Sequence, residues 1–319
     1  MRRAFVDSLV ELGKHDERTV LLTADLGFAA LEPFAEAFPE RFFNVGVSEQ
    51  NMVGMSTGLA EAGYIPYAYS ISTFASMRAY EFVRNGPVLH TLPVRIVGIG
   101  EGLDYGHNGM THYALEDVAL MRVQPGLAVV TPADDRHVRS MLHAVHGLPG
   151  PAYIRLSKNS YTVPGCGYGF ELGRAHRIGD GEDVAIVALG GMAVTAVAAA
   201  ELLAARGVSA SVLVVESVSP PPVEDLVSVL GTVPLALSIE AHYVTGGLGS
   251  LVAEVIAECG LRCRLVRAGV KHQPIGVSGS REFMHDLLGL TPELVVDSIL
   301  DAQGCGRPRA RAADPSPAP

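Results

Sequence analysis

The chain of 319 residues has no tryptophan and only four cysteines, Cys166, Cys259, Cys263 and Cys305. These form no Cys-x-x-Cys pair and have no histidine at metal-ligand spacing. Such usage fits a reducing, cytoplasmic compartment and argues against both a disulfide framework and structural zinc. Positive charge is in deficit, with 24 Lys and Arg against 34 Asp and Glu for a net charge of −10. Nucleic acid and anionic membrane therefore have no general electrostatic claim on it. Long apolar runs are also lacking. The most apolar stretch, 184–200, is broken by Gly190-Gly191 and followed by Glu201, so it reads as a strand, a turn and a helix rather than a membrane span. The N-terminus, MRRAFVDSLVELGKHDERT, soon turns amphipathic and acidic, unlike a secretory leader.

What is present is an ordinary globular composition, 48% hydrophobic and 18% charged, at a length that suits two domains. Up to residue 160, strand and helix patterns alternate with short connections. Strands are expected near 20–24, 42–45, 64–69, 94–99, 127–131 and 152–156. Helices are expected at 4–14, 31–38, 49–62, 74–84, 115–122 and 134–146. Near-continuous apolar strands in such an alternation predict an α/β fold with a parallel sheet covered on both faces. Pro164-Gly-Cys-Gly-Tyr-Gly169 reads as a linker. A second alternating set follows, with strands at 184–189, 208–215, 234–239 and 262–267 and helices at 191–206, 222–230, 247–259, 279–288 and 291–302. The expected organisation is thus a first domain over 1–163, a linker over 164–172, a second domain over 173–302, and a Pro/Ala/Arg-rich disordered tail over 303–319.

Four segments could carry chemistry. In 44–60, a strand enters a tight Gly46 turn and a helix starts at about Ser48, with Met52, Met55 and Leu59 toward its buried face. Glu49 falls in the first helical turn, where a capping Ser48 and a dipole-complementing carboxylate would by themselves explain the pattern. In 72–81, Phe74, Met77 and Tyr80 are spaced i, i+3 and i+6 on one helical face, as a core stripe or as a flat apolar wall. The stretch 98–112 carries glycines at 98, 100, 102, 106 and 109. It follows a strand, so it lies on the ligand side of an open α/β sheet, and it offers Asp104, His107, Asn108 and His112. Arg2, Arg155 and Lys158 are candidate anion contacts.

These motifs, in their order and spacing, resemble the transketolase family of thiamine diphosphate enzymes. The matches are Ala24-Asp25-Leu, Ser48-Glu-Gln-Asn-Met-Val-Gly, Ser72-Thr-Phe, Thr111-His112, Thr131-Pro-Ala-Asp134 and Gly246-Gly-Leu-Gly-Ser250. The resemblance spans 1–302 and implies a pyrimidine-binding domain followed by the family's C-terminal α/β domain. It implies that Glu49 grips N1′ of the cofactor's aminopyrimidine, that Phe74 stacks on this ring, and that Met77, Tyr80 and Asp25 help to hold it. His112 matches the histidine that meets the substrate's hydroxyl or carbonyl, with His107, Asn108, Asp104, Arg2, Arg155 and Lys158 as further substrate contacts. The chain departs from the family where Asn108 replaces Asp, where Gly100 stands near a substrate histidine of transketolases proper, and where Lys158 replaces the usual Arg. These departures, with the charge of Asp104, predict a weak grip on phosphorylated sugars. The family's diphosphate and magnesium motif is not matched: Gly179-Asp180-Gly181 precedes its strand instead of following one, and no Asn occurs beyond Asn159. The resemblance therefore implies one subunit of a split transketolase. Its partner is a diphosphate-binding chain of about 270–300 residues that carries the Mg2+ ligands, in an α2β2 assembly. A decarboxylating enzyme (a 2-oxo acid dehydrogenase beta subunit or a deoxyxylulose phosphate synthase relative) and a non-catalytic scaffold subunit remain the alternatives.

Overall fold

A computed structural model describes residues 1–167 and 169–304. The expected tail from Cys305 onward lies outside the described residues. In chain order the elements are α1 (Arg2–His15), β1 (Thr19–Thr23), α2 (Glu32–Ala37), β2 (Phe42–Asn44), α3 (Glu49–Glu61), β3 (Ile65–Ile71), α4 (Tyr80–Val83), β4 (Arg95–Ile99), α5 (Asp117–Arg122), β5 (Ala128–Val130), α6 (Asp135–His146) and β6 (Ala152–Leu156). They continue with β7 (Ala175–Ile178), β8 (Val184–Leu189), α7 (Ala193–Ala204), β9 (Ala210–Val215), β10 (Ser217–Ser219), α8 (Val223–Leu230), β11 (Leu235–Tyr243), α9 (Leu248–Glu258), β12 (Arg264–Val270), α10 (Arg281–Leu287) and α11 (Pro292–Ala302).

The strands β3, β4, β6 and β8 are buried along their whole length, which is why their sequences are largely apolar, broken only by Ser70, Arg95 and Arg155. They form the centres of two sheets. The first has the order β10-β5-β6-β4-β3-β1-β2 and the second β12-β11-β8-β9-β7. Pairing is parallel except for β10 on β5 and β7 on β9. Helices cover the sheets through ordinary amphipathic stripes. In α6, Val138, Met141, Leu142 and Val145 are buried at i, i+3, i+4 and i+7, and the N-cap Asp134 accepts a bond from the Arg136 N–H.

Three features depart from the sequence expectation. The short antiparallel strands β7 and β10 were not expected, and β10 adds a strand from the second half of the chain to the sheet of the first. The expected helix 74–84 is composite: a wider π turn over Phe74–Arg78, the single α turn α4, and a second π turn over Arg84–Val88 that contains Pro87. On α3 the buried residues are Glu49, Met52, Val53, Ser56 and Ala60, while Met55 faces outward. Among the described residues no helix is long and apolar enough to cross a membrane.

Candidate functional site

Glu49 opens α3 just beyond the end of β2, where Gly46 turns the chain at φ +74°. That left-handed conformation suits glycine, and it swings the helix start over the sheet edge. Ser48 makes no side-chain cap bond, so the cap that could explain the pattern does not form. The Glu49 side chain is instead turned inward and is 1% exposed. Its Oε1 accepts from the Ser70 hydroxyl of β3 at 2.9 Å, and its Oε2 accepts from the Arg78 guanidinium at 2.6 Å. Beside it, Asn44 ties the two strand ends together. Its Oδ1 accepts from the backbone N–H of Asp25 and of Gly46, and its Nδ2 donates to the Asp25 carboxylate. Asp25 itself is exposed, at φ +56°.

From Glu49 a continuous line of contacts crosses the sheet edge. The Arg78 guanidinium lies 4.4 Å from the centre of the Phe74 ring. Phe74 meets His112 edge-on at 5.2 Å, and His112 lies 5.9 Å from the Tyr105 ring. The Lys158 ammonium sits 4.0 Å above Tyr105. Burial lowers the pKa of His112, and its Nδ1 is engaged by the Thr111 hydroxyl at 2.9 Å, which leaves Nε2 free to act. Burial raises the pKa of Tyr105, and the charge of Arg2 opposes that rise, so Arg2 acts on the same end of the line. Arg2, His107 and Asn108 are exposed.

Four expected residues take other roles. Tyr80 does not share a face with Phe74, because the π turn between them is wider than an α turn; its hydroxyl instead accepts from Gln124. The same geometry turns Met77 outward, 42% exposed, and brings Arg78 over the ring. The Asp104 carboxylate is a brace rather than a substrate-facing charge. It accepts from the Ser157 hydroxyl, the Lys158 N–H and the Asn159 amide, and it pairs with Arg281 at 3.2 Å. Arg155 is not available to a phosphate. It is 1% exposed, donates to Asp117 at 2.8 Å and to the carbonyls of Ala114 and Ala241, and so ties β6 to β11.

The site residues that sequence reasoning passed over are Ser70, Arg78 and Tyr105. Arg78 carried a readable signal, an i+4 spacing from Phe74 beside an isolated cation. Ser70 carried none, since it meets Glu49 only through the pairing of strand and helix.

The transketolase pyrimidine-binding domain matches residues 1–164, and the transketolase C-terminal domain matches residues 173–295. A protein of Methanocaldococcus jannaschii provisionally described as a transketolase C-terminal section is 37% identical, over 94% of this chain and 95% of its own. A 6-deoxy-6-sulfo-D-fructose transketolase subunit of a Clostridium species is 36% identical, over 93% of this chain and 92% of its own. A solved structure described as a split-gene transketolase, an inactive β4 tetramer, superposes with a TM-score of 0.87 at 38% identity, covering 96% of this chain and 99% of that one. The chain belongs to the transketolase family, of which it carries the pyrimidine-binding and C-terminal domains.

Proposed function

We propose that the chain is the pyrimidine-side subunit of a thiamine diphosphate-dependent transketolase. The complete enzyme would move a two-carbon ketol unit from a ketose-type donor to an aldehyde acceptor. The observation that carries this reading is the pairing of a buried carboxylate, Glu49, with the face of the Phe74 ring. Arg78 tests the fit from within the chain: one flat, N–H-donating cation bonds Glu49 and lies on Phe74 at once. An aminopyrimidine is likewise flat and has N–H donors, so the same two side chains suit it.

Bound thiamine diphosphate would supply the carbon nucleophile that takes up the ketol unit. Glu49 would hold the aminopyrimidine at N1′ through Oε2, the oxygen that Arg78 bonds here, while Ser70 keeps Oε1. Phe74 would form the ring's wall. His112, kept neutral near pH 7 by burial, can donate a proton to a substrate oxygen or accept one through Nε2.

The diphosphate and magnesium contacts are assigned to a partner chain. Relatives described as a subunit and as a C-terminal section support this division of labour. So does the exposed apolar surface of Val47, Met55, Met77 and Phe82 on the elements around Glu49. An α2β2 assembly would cover it.

The test is reconstitution with a diphosphate-side transketolase subunit, comparing Glu49→Gln with the unmodified chain. Turnover should fall by roughly 10²-fold or more, cofactor should still bind more weakly, and exchange of the thiazolium C2 proton should slow in parallel. Near-normal C2 exchange in Glu49→Gln would remove the assigned role.

A further inference from the structure

Away from the Glu49 line, the fold gathers His137, Cys166 and His176, whose donor atoms all lie within 4.8 Å of one another. The three come from α6, the linker and β7, so their sequence spacing gave no metal signature. Glu216, between β9 and β10, flanks the group on the side of the two histidines. Its carboxylate lies 2.8–2.9 Å from His137 Nδ1 and 3.3 Å from His176 Nε2. The two imidazole rings are 5.0 Å apart. His137, Cys166 and Glu216 are buried, and His176 is half-buried.

We infer that this group is a structural zinc site with His137, Cys166 and His176 as donors and Glu216, whose Oε2 lies 3.3 Å from His176 Nε2, drawn in as the fourth. Two nitrogens, a thiolate and a carboxylate oxygen are a donor set suited to tetrahedral Zn2+, and four protein donors make the closed site typical of structural zinc. The surroundings orient the donors as ligands are commonly oriented. His137 Nε2 donates to the Gly167 carbonyl at 2.7 Å, so a metal at Nδ1 would replace only the proton that Nδ1 shares with the Glu216 carboxylate. Glu216 Oε1 accepts from the Ala133 N–H at 2.6 Å, which leaves Oε2 turned toward the histidines. Binding displaces the Cys166 thiol proton to solvent, together with any proton shared between Glu216 and the imidazoles. Two anions, thiolate and carboxylate, then balance the dication. The ion would pin the linker and the β7–β9 edge of the second sheet to α6 beneath the first.

The probes are Zn2+ and Co2+ added to the full chain after chelator treatment. The expected result is one equivalent of metal retained through gel filtration, a rise in melting temperature, and for Co2+ a sulfur-to-metal charge-transfer band with tetrahedral visible bands. Cys166→Ser should abolish the charge-transfer band. His176→Gln, at the half-exposed ligand, should fold normally and weaken binding by 100-fold or more. A Cys259→Ser/Cys263→Ser/Cys305→Ser chain should keep the band, because it keeps all four proposed ligands. Sub-stoichiometric metal in the unmodified chain, or a band that survives Cys166→Ser, would overturn the inference in favour of a purely ionic His–Glu–His cluster.

Discussion

The residues that could meet an anionic substrate are fewer than the sequence suggests, and the reason is what each cation already holds. Arg155 is saturated by Asp117 and two backbone carbonyls. Arg281 answers Asp104, so the negative charge expected in the loop is already neutralised. What remains is Lys158 over the Tyr105 ring and Arg2, whose charge reaches the same tyrosine. A lysine offers a point charge without the bidentate fork of arginine, so it attracts a phosphate but directs it weakly. In the reconstituted enzyme, kcat/KM for a phosphorylated aldose should exceed that for its unphosphorylated counterpart by less than about 10³-fold, some 4 kcal/mol of transition-state binding. Lys158→Ala should raise KM for the phosphorylated aldose about tenfold with kcat nearly unchanged, the pattern of a lost uniform binding contact. An equal rise in KM for both aldoses would mean that Lys158 acts only by packing on Tyr105.

At the scale of elements, the loop after β4 does the positioning. It is pinned at its start by the Gly100 N–H on the Leu156 carbonyl and at its end by the Ala114 N–H on the Gly102 carbonyl. Gly100 has φ +89°, and a Cβ there would overlap the Tyr105 ring. The position therefore has no room for the imidazole that transketolases proper place nearby: Tyr105 takes the space, and Tyr105 in turn contacts His112. Gly100→Ala should cost on the order of 1–3 kcal/mol from backbone strain. It should also lower kcat/KM, because the displaced ring shifts His112. Urea unfolding and steady-state kinetics measure both, and an unchanged midpoint with unchanged kinetics would contradict this account. The same scale explains what could be read in advance. Strands such as β4 and β8 were legible because burial on both faces makes their sequences nearly all apolar, Arg95 at the start of β4 apart. The short edge strands β7 and β10 were not, since four and two pairing residues leave too little period to detect. The 74–84 segment was read as one helix because apolar residues at i, i+3 and i+6 fit an α period, whereas its π turns change the register. Glu49 could be found from its place at a strand-to-helix junction. Its partners Ser70 and Arg78, 21 and 29 residues on, meet it only in the folded chain.

Across the whole molecule, the two sheets are joined by a buried polar cluster whose ionisation sets the pH range of the fold. His242 of β11 donates from Nδ1 to the Tyr243 carbonyl at 2.7 Å and accepts at Nε2 from the Ala119 N–H of α5 at 3.3 Å, an arrangement that needs the neutral ring. Burial pushes its pKa down to about 4, while Asp117 and Arg155 facing it act in opposite directions. Glu240, whose carboxylate is 3.7 Å away, is pushed up to about 7 by burial, against the N–H groups of Leu248 and Gly249 that it accepts from. Above about pH 6.5 His242 is neutral in both states, and its contribution is fully present. As pH falls toward 4 the unfolded chain takes up a proton that the folded chain refuses, and that stability is lost. His285 of α10, lowered to about 3 chiefly by burial, acts in the same direction. Glu240 acts oppositely: its contribution is present below about pH 4.5 and is lost as pH rises through 7. Between pH 7 and pH 5 the His242 contribution, read by urea unfolding, should therefore fall by an amount worth on the order of 2 kcal/mol, against an opposite change of similar size from Glu240. His242→Gln keeps an acceptor for the Ala119 N–H but cannot titrate. It should be less stable at pH 7 and yet lose less on acidification, and a variant with the same pH slope as the unmodified chain would show that the joint between the sheets does not govern the acid limit.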